Sequence, residues 1–198
     1  MGKRPLTSRR AGQRREQLLE AAREVFGDRD YDEVSVDEVA ARAGVSHGLV
    51  FQYFGRKRDL YVAAMTPLIE RFRWQIAPDL ELPPRERLAS AIRAWAALMS
   101  EHPRGYGSLM TKAIGFGEIR AELDRMHSSA VERISGQLGV DPTLPEVQVG
   151  LRGWIAFMEA SMLAWLETGG PDLDQLVEII SEAFFATTRA ILAAAESS

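Results

Sequence analysis

Four residues, Ala43-Gly44-Val45-Ser46, constrain this chain more than any other stretch, because they are all that separates two short segments of helical character. Before them, Ser35-Val36-Asp37-Glu38 has the spacing of a capping box, in which the serine side chain accepts a backbone N–H of the first turn while the glutamate reaches back. A short helix through Val39, Ala40 and Ala43 should follow, and Gly44 stops it by taking the left-handed conformation a sharp turn needs. Val45 plugs the space between the two helices, and Ser46 stands where it would cap the next one, roughly His47 to Tyr53. Gly55 breaks that helix, and Lys57 opens a longer one toward Ala77. Upstream, Leu18, Leu19, Ala22, Val25 and Phe26 recur at three- and four-residue steps, which predicts an amphipathic helix from Gln13 to Phe26, ended by Gly27 and Asp28.

Two short helices joined this tightly have the geometry that sends the second into a DNA major groove, although helical hairpins of other kinds also turn on glycine. The longer run from Ser35 to Leu60 is more specific. Val36, Val39-Ala40, Ala43-Gly44-Val45-Ser46, Gly48, Phe51, Phe54, Lys57 and Leu60, with the Gln13–Phe26 helix before them, resemble the TetR family of bacterial repressors. The motif covers about a quarter of the chain; the rest is similar to the family in being helical and of suitable length.

The resemblance implies that the third helix enters the major groove and that Lys57 meets a phosphate. The N-terminus of the fourth helix adds partial positive charge there, with Arg56 and Arg58 alongside. Ser35 and Arg42 are further candidates for phosphate, each with an equally good structural use. Ser46, His47, Gly48, Leu49, Phe51, Gln52 and Tyr53 complete the candidate DNA-binding set. Gln52 can bond an adenine edge bidentately, His47 can donate or accept, and Gly48 lets the backbone come close. Three positions depart from the family's pattern. Leu49 stands where a small hydroxylated residue is preferred, Phe51 where tyrosine is common, and Tyr53 where histidine is common. Leu49 can touch a thymine methyl or cover core. Phe51 and Tyr53 can face DNA or, like Phe54, fill the interior.

The charge distribution agrees with such a head. The net charge is −4, but residues 1–60 hold 12 Lys and Arg against 10 Asp and Glu, so the acidity lies downstream. Within the first 15 residues Lys3, Arg4, Arg9, Arg10, Arg14 and Arg15 meet no acid, the pattern of a basic arm, here residues 1–12 leading into the first helix, that neutralises phosphates or serves as a solvated tail. The 46% hydrophobic content suffices for a core without staples, and the absence of cysteine removes disulfides, thiolate metal sites and a cysteine nucleophile. His47, His102 and His127 have no metal-ligand spacing, and no nucleophile elbow or phosphate-cradling loop is present. The expectation is a protein with no enzymatic activity, no cofactor and no metal. It has no secretory signal and no window apolar enough to span a bilayer, so it belongs in the cytoplasm.

Beyond a joint marked by Pro78, Pro83 and Pro84, helix is expected over Leu88 to Glu101, an interrupted helix over Gly105 to Gly117 (with Ile114 apolar), and helix from about Glu118 to Leu138. Two long segments remain, roughly 145–168 and 172–195. Their apolar surface exceeds one core face, with Leu151, Trp154, Ile155, Met158, Met162 and Trp165 on one stripe of the first and Phe157 on another. Pairing these helices with those of a second copy gives a four-helix bundle and a two-fold homodimer matched to a roughly palindromic operator. The resemblance further implies a small-molecule effector. Trp95, Met99, Tyr106, Met110, Phe116, Trp154, Phe157, Met158 and Met162 are candidates to line its pocket or to be plain core, with His127, Tyr106 and Glu159 as polar groups and His127 reading as a surface residue. The fold class expected is all-α: a helix-turn-helix DNA-binding head over residues 13–60, then a helical ligand-sensing and dimerisation domain over 61–198. The function implied is a ligand-responsive repressor acting on double-stranded DNA. An activator with the same head and a helical scaffold without DNA binding are the alternatives.

Overall fold

The computed structural model describes residues 5–75, 81–112 and 115–195. Lys3 and Arg4 of the expected arm, Ala77 and Pro78 at the expected joint, and Ile114 lie outside them. Among the described residues the fold is all-α: α1 (Pro5–Asp28), a 3-10 turn (Tyr31–Glu33), α2 (Val36–Arg42), α3 (His47–Phe54), α4 (Lys57–Gln75), α5 (Pro84–Glu101), α6 (Pro103–Lys112), α7 (Gly117–Leu138), α8 (Pro145–Thr168) and α9 (Leu173–Ala195). Helix α1 starts well before Gln13, so residues 5–12 of the expected arm are its first turns. Proline suits the first turn of a helix, where its missing N–H would have no intrahelical partner.

The chain forms two compact units. One comprises the described residues up to Leu68 together with His102–Arg120; the other comprises Ile69–Glu101 and the described residues from Ala121 on. These units cut the chain differently from a single linear division at residue 60, because α6 and the start of α7 join the head.

In the first unit α1 packs on α2 and on α6, and α2 packs on α3. The interior is built from Leu18, Leu19, Ala22 and Phe26 of α1, Val39 and Ala40 of α2, Val50 and Phe54 of α3, and Leu60, Tyr61 and Ala64 of α4, all buried. The turn after α2 is a Schellman motif: Val45 N–H donates to Ala40 O at 2.9 Å and Gly44 N–H to Ala41 O at 3.1 Å, with Gly44 at φ +64°. The capping box forms as its spacing predicts. Glu38 N–H donates to Ser35 Oγ at 3.1 Å, and Ser35 N–H to Glu38 Oε2 at 2.7 Å. Ser46 occupies the N-cap of α3, but its side chain makes no cap hydrogen bond.

An aromatic cluster closes the same unit. The rings of Tyr31 and Tyr61 lie 4.9 Å apart, and the Phe116 ring lies 4.9 Å from Tyr31 and 5.1 Å from Tyr61. Burial pushes the Tyr61 phenol up to about 12. Helices α1 and α6 touch backbone to backbone: a Cβ on Gly105 would stand 2.4 Å from Gly27 O and 2.6 Å from Gly27 Cα. No residue but glycine fits there unless a helix moves.

In the second unit α9 packs on α8 and on α5. Ile92, Trp95 and Met99 of α5, Leu151, Trp154, Met158 and Met162 of α8, and Leu176, Val177 and Ile180 of α9 are buried. The Trp154 indole N–H donates to Ile180 O at 3.2 Å, and the Phe184 ring stands 4.8 Å from that of Trp154. On the surface Arg85 bridges Glu178 at 2.6 Å and Glu182 at 2.5 Å, and Arg93 bonds Asp174 at 2.7 Å. Such exposed pairs set the register of α5 on α9 more than they stabilise it.

Candidate nucleic-acid interface and cavity

Helix α3 has two faces. Val50 and Phe54 point inward at 2% and 8% exposure, whereas His47, Gly48, Phe51 and Gln52 are exposed. Positions separated by four residues share a helix face, so His47 stands beside Phe51 and Gly48 beside Gln52. The His47 and Phe51 rings are 4.6 Å apart and tilted by 32°. Phe51, with 41% of its surface exposed, is therefore part of the outward face and not of the core. His47 Nδ1 lies 2.5 Å from Asp37 Oδ1, which fixes the ring and leaves Nε2 as its remaining polar atom. Around Gly48 a Cβ would meet nothing within 4 Å.

Leu49 and Tyr53 are half-buried. The Tyr53 hydroxyl donates to Ala11 O in α1 at 3.3 Å, so it ties α3 to α1. Arg42 Nε lies 2.5 Å from Glu24 Oε2 across α1 and α2, and Ser35 is engaged in its capping box. Beside it, Ser35 N–H and the Arg29 guanidinium hold the Glu38 carboxyl below its usual range.

At the start of α4 the Lys57 ammonium sits 4.2 Å above the Tyr31 ring. Arg58, expected alongside it, turns elsewhere: it grips Glu118 of α7 in a two-pronged fork at 3.0 and 2.5 Å, with its guanidinium 5.7 Å from the Phe116 ring. Sequence reasoning missed this pair and the seat of Lys57 on Tyr31. The partners are far apart along the chain and carry no shared periodicity.

The second unit holds a partly open cavity of about 280 Å³ between α5, α7, α8 and α9. Of the expected pocket residues, Trp95, Trp154 and Met158 line it. The others do not. Met99 and Met162, each 1% exposed, are spent on packing, and Phe157 stands 41% exposed on α8. Tyr106, Met110 and Phe116 belong to the first unit, because α6 joins α1 there. His127, read as a surface residue, is half-buried in the cavity wall, with Nε2 2.7 Å from Glu159 Oε1. Residues not singled out from the sequence supply the rest: Arg87, Leu88, Ile92, Arg133, Phe184 and their neighbours. Among the described residues no group of His, Asp or Glu could hold a metal ion, and no helix is long and apolar enough to cross a membrane.

A tight two-helix turn with an exposed second helix, joined to a helical unit that holds a cavity, defines the class of helix-turn-helix transcription regulators. Residues 18–64 match the family described as bacterial regulatory proteins, tetR family, and residues 84–187 match the tetracyclin repressor-like C-terminal domain. The chain belongs to the TetR family of DNA-binding transcriptional regulators. It is 29% identical to the HTH-type transcriptional activator FasR of Mycolicibacterium smegmatis over 191 residues, covering 89% of this chain and 86% of that one. It is 27% identical to the transcriptional regulator BetI of Rhizobium meliloti, covering 79% of this chain and 91% of that protein. A crystal structure of a tetR-family regulator from Streptomyces coelicolor superposes with TM-score 0.79 at 29% identity, covering 92% of this chain and 89% of that one. The fold alone is shared with FadR from Bacillus subtilis, solved with stearoyl-CoA, at TM-score 0.58 and 19% identity, covering 85% of this chain and 96% of that one.

Proposed function

We propose that this regulator is a homodimeric, non-enzymatic repressor of the cytoplasm that leaves a roughly palindromic operator when a largely apolar small molecule fills the cavity of its second unit. The observation that carries this reading is the cavity itself, lined mainly by apolar side chains in a chain that also carries an exposed recognition helix. Preformed apolar hollows with a few polar groups are the usual form of a small-molecule site.

On α3, Gln52 and His47 read bases and Phe51 lies against a thymine methyl or the sugar backbone. Glycine in an exposed helix costs about 1 kcal/mol relative to alanine. Nothing around Gly48 requires one, so its role is the close approach of DNA. Lys57 neutralises a phosphate, Ser35 and Arg42 are further phosphate partners, and Ser46, Leu49 and Tyr53 support the reading helix. Val149, Phe157, Ile179 and Leu192, exposed on α8 and α9, support pairing of these helices with a second copy. Helices α4 and α7 each run from one compact unit into the other, which gives the effector a route for selecting a conformer with misplaced heads.

The test measures binding to the DNA upstream of the chain's own gene by fluorescence anisotropy, with light scattering for the oligomeric state and a reporter for the sign of regulation. Salt-dependent, sequence-specific binding by a dimer and a rise in reporter output on deletion are expected. Failure to retard that DNA, or a monomer at the concentrations that bind it, overturns the reading. The similarity to FasR favours one second reading, an activator with the same head; a fall in reporter output on deletion selects it.

A further inference from the structure

We propose that Arg133 anchors an anionic head group, and that the molecule recognised by the cavity is an amphipathic monoanion, an apolar body carrying one carboxylate. This deepens the effector reading of the same cavity and rests on it.

Several other guanidiniums of the second unit have polar partners among the described residues. Arg85 holds Glu178 and Glu182, Arg93 holds Asp174, Arg125 holds Glu122, and Arg152 donates to Gln148 and Ser128. Arg133 departs from this habit. It is half-buried in the cavity wall, and among the described residues no carboxylate offsets the burial that pushes its pKa below the ordinary arginine value. An arginine cannot escape such a position by shedding its proton, so its charge stays in a poorly solvated place.

The rest of the wall points to the same chemistry. Arg87 and His127 add nitrogen donors, no Asp or Glu is among the lining residues, and Glu159 is engaged by His127 at 2.7 Å. The Trp95 indole N–H, on the same wall, is buried with no hydrogen-bond partner. The cavity thus offers cationic and N–H donors and no carboxylate among its lining residues, which suits an anionic head group. A carboxylate can take two parallel N–H bonds from the Arg133 fork. Its apolar body would lie against Ile92, Trp154, Met158 and Phe184. A wholly apolar occupant would expel water from Arg133 and give nothing back.

Calorimetric titration of the full chain with decanoate, decan-1-ol, methyl decanoate and decanoyl-coenzyme A tests this. Decanoate should bind the unaltered protein about ten- to a hundredfold more tightly than the alcohol or the ester, the range of one charge-assisted hydrogen bond. Arg133→Met should bring decanoate down to the level of the ester and leave the ester's affinity unchanged, which also shows that the cavity is intact. Arg133→Lys should restore part of the difference. If decanoyl-coenzyme A binds and is weakened by Arg133→Met while decanoate does not bind, the anion on Arg133 is a coenzyme phosphate: the anchor stands and the carboxylate monoanion is overturned. Equal affinity for acid, alcohol and ester, or indifference of both anions to Arg133→Met, overturns the anchor and leaves the effector cavity standing. Failure of all four probes to bind overturns both.

Discussion

Lys57 of α4 holds its ammonium 4.2 Å above the ring of Tyr31, a cation seated on an aromatic face at the start of the helix expected to meet a phosphate. The ring positions the charge without neutralising it. Lys57→Ala should weaken binding to all DNA sequences alike and reduce the slope of log affinity against log salt by about one. Anisotropy titrations at several salt concentrations check this, and an unchanged slope would remove Lys57 from the interface. Tyr31→Leu keeps the charge but loses its seat, for an expected loss of about two- to fivefold, the value of an exposed cation–π contact.

Gln52 stands exposed on α3 beside Gly48. Gln52→Ala should cost about 1–3 kcal/mol of discrimination at one base position while binding to unrelated DNA stays constant. Selection from a randomised operator library reads this directly. A uniform loss at every position would make Gln52 a backbone contact.

Gly105 of α6 leaves no room for a methyl group against Gly27 O. Gly105→Ala should destabilise the protein by about 1–3 kcal/mol, since the obstacle is backbone and cannot rotate away. A lowered urea midpoint checks it, and an unchanged one would show that α6 moves freely on α1.

Tyr61 keeps its proton up to about 12, where an ordinary tyrosine loses it near 10. The folded state therefore binds more protons than the unfolded chain between those values, and stability falls as pH rises through that window. The share lost is about 2–3 kcal/mol. Urea unfolding between pH 9 and 12 should show a shallower decline for Tyr61→Phe than for the unaltered chain. Parallel declines would mean that the phenol ionises where it stands.

The local devices of the head were legible because their bonds close within a few residues. Ser35 and Glu38 announce a capping box by spacing alone, and Gly44 announces the turn. Contacts at long range were not. Arg58 carries no mark that it will meet Glu118, and Phe116 reads as well for a pocket as for the cluster around Tyr61. Periodicity put Met162 on an apolar stripe with Trp154 and Met158, but burial has the same pattern whether the space beyond is filled or hollow. Arg133 was overlooked for the converse reason: a charged residue in a helical pattern reads as solvent-facing, and only its half-burial in the cavity wall without a carboxylate partner among the described residues marks it.

Because His102–Arg120 completes the compact unit of the recognition helix, the DNA-reading part of this protein is not inherited in one piece. A fragment ending at Leu68 would bare Tyr31 and Tyr61 where Phe116 covers them, and would leave the Gly27 ridge without α6. A single crossover near residue 68 thus cannot hand this reading head to another sensor. Exchange of specificity among relatives with this arrangement must either carry two separate stretches of gene together or proceed by substitution on the face of α3.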